Sequence, residues 1–122
     1  MNPIRPIESL ARTGPIICSL VSGLDESQWR FKPPTGNWSV LEIVCHLADE
    51  EVDDFRTRLK LTLESPELPW PQFGPIPAGD LLNAWAAHDL LHIRQITKRL
   101  FELNALEAKP FENRYAGNWV ET

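Results

Sequence analysis

Ser39-Val40-Leu41-Glu42-Ile43-Val44-Cys45-His46-Leu47-Ala48-Asp49 is the stretch that decides the fold. Ser39 stands before an apolar run and Glu42 follows three residues later, the spacing of a capping box at a helix start. Val40, Ile43, Val44, Leu47 and Ala48 recur at three- and four-residue steps, and Val52, Phe55, Leu59 and Leu63 carry the pattern onward. Neither glycine nor proline interrupts it. The spacing predicts one helix to about Glu64, roughly 38 Å long at 1.5 Å per residue.

Upstream, Ile7, Leu10, Ala11, Gly14, Ile17, Cys18 and Val21 repeat with the same period, predicting a helix bent at Gly14-Pro15 and closed near Gly23. Leu24 to Trp38 contains Pro33, Pro34 and Gly36 and reads as a connector with about one helical turn. Downstream, Ser65 to Gly79 carries Pro66, Pro69, Pro71, Pro75 and Pro77, which favours extended backbone. A last long helix is expected from about Ala78 to Asn104, with Leu82, Trp85, Ala86, Leu90, Ile93, Ile96 and Leu100 on its apolar side. Phe111 to Thr122 reads as an irregular tail packed on the helices. No alternating run is long enough for a strand. The expectation is one all-α domain over residues 1–122, an up-and-down bundle of three long helices with a proline-rich extended connector.

The 122 residues are 43% hydrophobic and 24% charged, a globular balance that excludes disorder. The scaling law for folded chains gives such a mass roughly 6,700 Å² of accessible surface. A net charge of -5 supplies no basic face for phosphates, so nucleic acid is excluded as a partner. No apolar run reaches the ~18–20 residues of a membrane helix. The opening Met1-Asn2-Pro3-Ile4-Arg5-Pro6 has no charged segment leading into an apolar one, and Cys18 and Cys45 both fall in helical patterns. Reduced thiols in a cytoplasmic protein are the expectation, with Cys45 a small core residue.

Chemistry concentrates at the histidines. His88 and His92 are four apart on the last helix, which stacks their side chains with Cβ atoms about 5–6 Å apart. His46 is the third histidine, early in the capped helix, and Asp49, Glu50 and Asp53 follow it at helical spacing. Three imidazoles from two helices would leave coordination positions open, as a catalytic metal site requires. An i,i+4 histidine pair also occurs by chance on solvated helices. The zincin motif requires glutamate after the first histidine, and Asp89 stands there, so a metalloprotease is excluded. Asp49 and Asp89 read equally as acceptors that orient ligand histidines or as surface carboxylates.

Two segments carry a family resemblance. Trp38 through Asp49 looks like the second-helix motif of the DinB-like (damage-inducible) superfamily. Trp85-Ala86-Ala87-His88-Asp89-Leu90-Leu91-His92-Ile93-Arg94-Gln95 resembles its last-helix motif. The resemblance implies a four-helix-type bundle and a divalent-metal triad at His46, His88 and His92. It also implies kinship to metal-dependent thiol-S-transferases. Zinc or nickel would be the first candidates for the ion, iron or copper the next, together with a low-molecular-weight thiol and a small-molecule substrate. A non-catalytic bundle that binds metal or a partner is the alternative. Family members usually carry another long helix between the two motifs, and here only Ser65 to Gly79 fills that interval. An uncovered apolar side and a homodimer are therefore expected. His46 and His88 lie at similar depths from the starts of their helices, which suggests a parallel pair. The connector would then run back extended along the bundle; fifteen residues of polyproline-like chain span roughly 45 Å.

Overall fold

The computed structural model describes residues 4–67, 69–70 and 74–120. Three long helical stretches form an all-α, up-and-down arrangement. The first is α1 (Ile4–Val21), with Pro15 inside it. The second is a continuous run of α3 (Val40–Asp49), a π-helical segment (Glu50–Arg56) and α4 (Thr57–Glu64). The third is α5 (Ala78–Glu107). One turn of helix, α2 (Glu26–Arg30), stands in the first connector, held by a capping box between Asp25 and Gln28.

Local chemistry sets the second helix. Ser39 Oγ accepts from the Glu42 backbone N–H at 3.2 Å, and the Glu42 carboxylate accepts from the Ser39 N–H at 3.4 Å. Val40, Ile43 and Leu47 then enter the core, where they meet Ile96 of α5; Ile43 and Ile96 are fully buried. Ile17, Leu20 and Val21 of α1 pack against this cluster. Burial of one such side chain stabilises by about 1.5–3 kcal/mol, so these few residues hold the three helices together.

The apolar stripes differ in detail from the sequence expectation. On α1 the buried residues are Pro6 and Thr13, while Ile7 is exposed. On α5 Leu90 is exposed, and Asp89 and Arg99 occupy buried positions instead. Cys45 is exposed and so is not a core residue; Cys18 is exposed too, and both thiols are free. The second helix is not α throughout. Leu47 to Phe55 is a step of eight residues where an α-helical stripe needs seven, and the wider π turn absorbs that extra residue. Phe55 thereby comes to face α5, where its ring stacks on Trp85 at 5.8 Å and 7°. Val52 is left exposed, as is Leu63, and Thr62 is buried in its place.

The connector expectation is overturned. Arg99 Nε donates to the Trp38 carbonyl at 2.6 Å, Trp85 Nε1 donates to Glu51 Oε1 at 3.2 Å, and Phe55 lies on Trp85. As numbers rise along the second helix they fall along α5, so the two are antiparallel. Between them β1 (Pro69–Trp70) and β2 (Gly74–Pro75) pair as a small antiparallel ladder, with Gly74 at φ 67°. Leu68 and residues 71–73 of the expected extended run lie outside the described residues. The depth argument failed because it took the helix ends as level: Arg99 meets Trp38 at the start of the second helix and α5 continues beyond that level to Glu107, so depth from a helix end does not fix direction. By contrast α1 is parallel to α5: Thr13 lies beside Asp89, and Gln28, beyond the end of α1, bonds Glu107 at 3.1 Å.

Candidate metal centre

The antiparallel pairing brings His46 of α3 level with His88 and His92 of α5. The ring centroids are 4.4 Å apart for His88 and His92, 4.9 Å for His46 and His92, and 6.0 Å for His46 and His88. One ring nitrogen from each lies within 4.8 Å of the other two. Nε2 of His88 and Nε2 of His92 are 3.1 Å apart. Two imidazoles on one tetrahedral zinc ion, at 2.0–2.1 Å each, hold their nitrogens about 3.3 Å apart. The pair is therefore near ligation geometry, and a His46 ring nitrogen lies within 4.8 Å of both.

Neighbouring groups set ring orientation and charge. His92 Nδ1 is 2.7 Å from Gln95 Oε1. An amide oxygen only accepts, so Nδ1 carries the hydrogen, and Nε2 is the ring nitrogen turned to the centre. The His88 pKa lies below its ordinary value, chiefly through burial and then through the charges that His92 and His46 would carry. Neutral His88 is the ligand form. Trp38 stands 5.0 Å from His46 and Phe55 4.8 Å from His88, so aromatic rings wall two sides.

The carboxylates divide. Asp49 and Asp53 are exposed, and among the described residues no carboxylate joins the histidine cluster. Asp89 is 1% exposed, and its Oδ1 lies 3.6 Å from His88 Nδ1, beyond hydrogen-bond length. Glu51 and Thr13 flank it, yet neither oxygen has a hydrogen-bond partner among the described residues. Burial, followed by the Glu51 carboxyl, pushes its pKa up to about 7. Glu50 is also raised to about 7, first by its hydrogen bond to Asp54 and then by burial. Asp54 in turn pairs with Arg58. The roles of Phe55, Glu51 and Trp85 around the centre were not read from sequence; the eight-residue apolar step was the available signal.

With this geometry in place, comparison with known proteins adds the family. The model of the DinB superfamily matches residues 10–66. Over these residues the chain is DinB-like. The match runs from α1 through α4 and contains His46, whereas His88 and His92 lie beyond it and are joined to His46 by the fold. No curated protein and no solved structure matches the chain. Among the described residues no helix is long and apolar enough to cross a membrane. The donor set fits a divalent ion: three imidazoles from two helices, one oriented by an amide, with aromatic rings on two sides.

Proposed function

We propose that this DinB-like protein binds one divalent metal ion through His46, His88 and His92 and offers its open coordination side to a small molecule. The observation that carries this reading is the convergence of three ring nitrogens within 4.8 Å. Imidazole suits zinc and nickel best here, with iron and copper as further candidates. The family likeness adds the chemistry of thiol transfer to an electrophile. When bound, the ion would supply Lewis acidity that lowers the pKa of a thiol or a water molecule. The chain's own residues orient His92 through Gln95 and flank His46 and His88 with the Trp38 and Phe55 rings.

Elemental analysis of protein purified without a metal-affinity tag tests the reading. About one equivalent of metal is expected in the wild type, with affinity at least tenfold lower in His92→Ala. Equal metal content in the wild type and all three alanine variants overturns it. A panel of thiols and electrophiles then separates an enzyme from a binding module, since metal without turnover identifies the latter.

We further propose a homodimer. The chain exposes 8489 Å². That exceeds the roughly 6,700 Å² of a compact monomer of this mass by about 1,800 Å². A standard interface buries about 800 Å² per partner, so the excess is ample for one. Light scattering at micromolar concentration should give twice 13.9 kDa; a sharp monomer would overturn the dimer and leave the metal site standing.

A further inference from the structure

The two ligand histidines of α5 turn the same ring nitrogen to each other, Nε2 of His88 and Nε2 of His92, 3.1 Å apart. An imidazole that offers Nε2 to a metal keeps its hydrogen on Nδ1, at the back of the ring, and that N–H needs an acceptor. For His92 the acceptor is Gln95 Oε1, at 2.7 Å. For His88 the Nδ1 atom is buried and has no hydrogen-bond partner among the described residues. Opposite it stands Asp89 Oδ1, at 3.6 Å.

Asp89 has the complementary need. Its side chain is 1% exposed, and both carboxyl oxygens are buried without a hydrogen-bond partner among the described residues. An unmade bond at a buried polar atom costs about 1–3 kcal/mol. Here an unused donor position and an unused acceptor face each other. The other polar groups beside Asp89 bond elsewhere: Glu51 Oε1 accepts from Trp85 Nε1 at 3.2 Å, and Thr13 Oγ1 donates to the Ser9 carbonyl at 3.2 Å. An imidazole N–H bonds a carboxylate at about 2.7–2.9 Å, so a movement of less than about 1 Å closes the gap. Asp89 follows His88 about 100° around α5, which turns it to Thr13 of α1 while His88 meets His46 of α3.

We propose that Asp89 is the positioning residue of His88: its carboxyl oxygen accepts from His88 Nδ1–H and commits Nε2 to the centre, as Gln95 does for His92. The inference rests on the metal-site reading and adds which side chains aim its ligands. Both α5 imidazoles are then fixed from behind by a residue of their own helix.

The test uses the full chain loaded with zinc. Affinity is measured by competition with a chromophoric chelator in the wild type, Asp89→Leu, Asp89→Asn and Gln95→Leu, and the Tm of each metal-free form records the cost to the fold. Loss of such an outer partner weakens a metal site by about 10–100-fold, so Asp89→Leu and Gln95→Leu should each bind zinc at least about tenfold more weakly. Asp89→Asn should lose less, because its amide oxygen still accepts. NMR of nitrogen-15-labelled, zinc-loaded wild type should show slowly exchanging Nδ1–H signals for both His88 and His92. In Asp89→Asn the His88 signal should shift and the His92 signal stay. Zinc affinity within twofold of the wild type in folded Asp89→Leu, or a His88 Nδ1–H that exchanges freely in the loaded wild type, overturns the proposal and leaves the metal site standing. If Asp89→Leu does not fold, the resonances decide: a His88 Nδ1–H signal unmoved in Asp89→Asn overturns the proposal equally. A wild-type chain that takes up no zinc overturns the metal-site reading and this inference with it.

Discussion

Val40–Asp49 and Glu50–Arg56 are consecutive parts of one helix, yet they serve the molecule differently. The first is capped at Ser39 and buries Val40, Ile43 and Leu47. The second has no fully buried residue, widens to π geometry and gathers Glu50, Glu51, Asp53 and Asp54. Core burial fixes the first stretch, so His46 is carried on a rigid stem. The second is shaped by phase: its extra residue moves Phe55 and Glu51 to α5, where they reach Trp85 and the flank of His88. One helix thus supplies stability from its first turns and wall chemistry from its middle. Local widening of this kind is frequent at functional sites because it re-aims side chains without ending the helix.

The sharpest way to break the comparison is to truncate one side chain in each stretch. Ile43 is fully buried in the shared core. Ile43→Ala is expected to cost about 2–5 kcal/mol in denaturant unfolding. Val52, left exposed by the π turn, is the matched control, and Val52→Ala should stay within about 0.5 kcal/mol. Similar costs for the two would mean that the π segment is as deeply integrated as the capped turns.

A smaller effect is expected at the wall. Phe55→Ala removes the stack on Trp85 and the ring beside His88. The cost should be about 1–3 kcal/mol, since the side chain is only half-buried. If the wall also orients and desolvates the histidines, metal affinity falls severalfold as well. Stability lost with affinity unchanged would make Phe55 a packing residue alone.

What the sequence disclosed follows the same division. The capping pair Ser39 and Glu42 and the stripe Val40, Ile43, Leu47 are local signals, and the helix they predict is present. His88 and His92 were legible as a pair because four residues on a helix fix their separation. Helix direction was not legible, because α5 runs on past the level of Trp38 and distance from a helix end therefore does not fix direction. The buried Asp89 was hidden too: it lies one residue from His88, and only the packing of Thr13 from α1 and Glu51 from the π segment encloses it. Such placements depend on three helices at once, and no local pattern encodes them.

The smallest expected effect is also the most diagnostic of that enclosure. Asp89 and Glu50, both raised to about 7, keep protons in the folded chain at pH values where the unfolded chain, with carboxyl values near 4, has lost them. The folded state therefore binds more protons between about pH 4 and 7, and stability should fall as pH rises through that window. His88 acts in the opposite sense. Its folded pKa is lowered, so the unfolded chain takes up a proton first as pH falls below about 6.5, and that term removes stability on the acid side. Two carboxyls against one imidazole leave a net decline from pH 5.5 to pH 8 in the metal-free protein, read as a drop of a few degrees in Tm. Asp89→Asn keeps the shape and removes one of the two carboxyl contributions, so its Tm should vary less across the same range. Glu50 lies within the π segment and Asp89 on α5, so a flattened profile in Asp89→Asn but not in Glu50→Gln would place the effect in the three-helix interior. An Asp89→Asn profile as steep as the wild type would show that Asp89 is solvated in solution, and the enclosure by Thr13 and Glu51 would have to be abandoned.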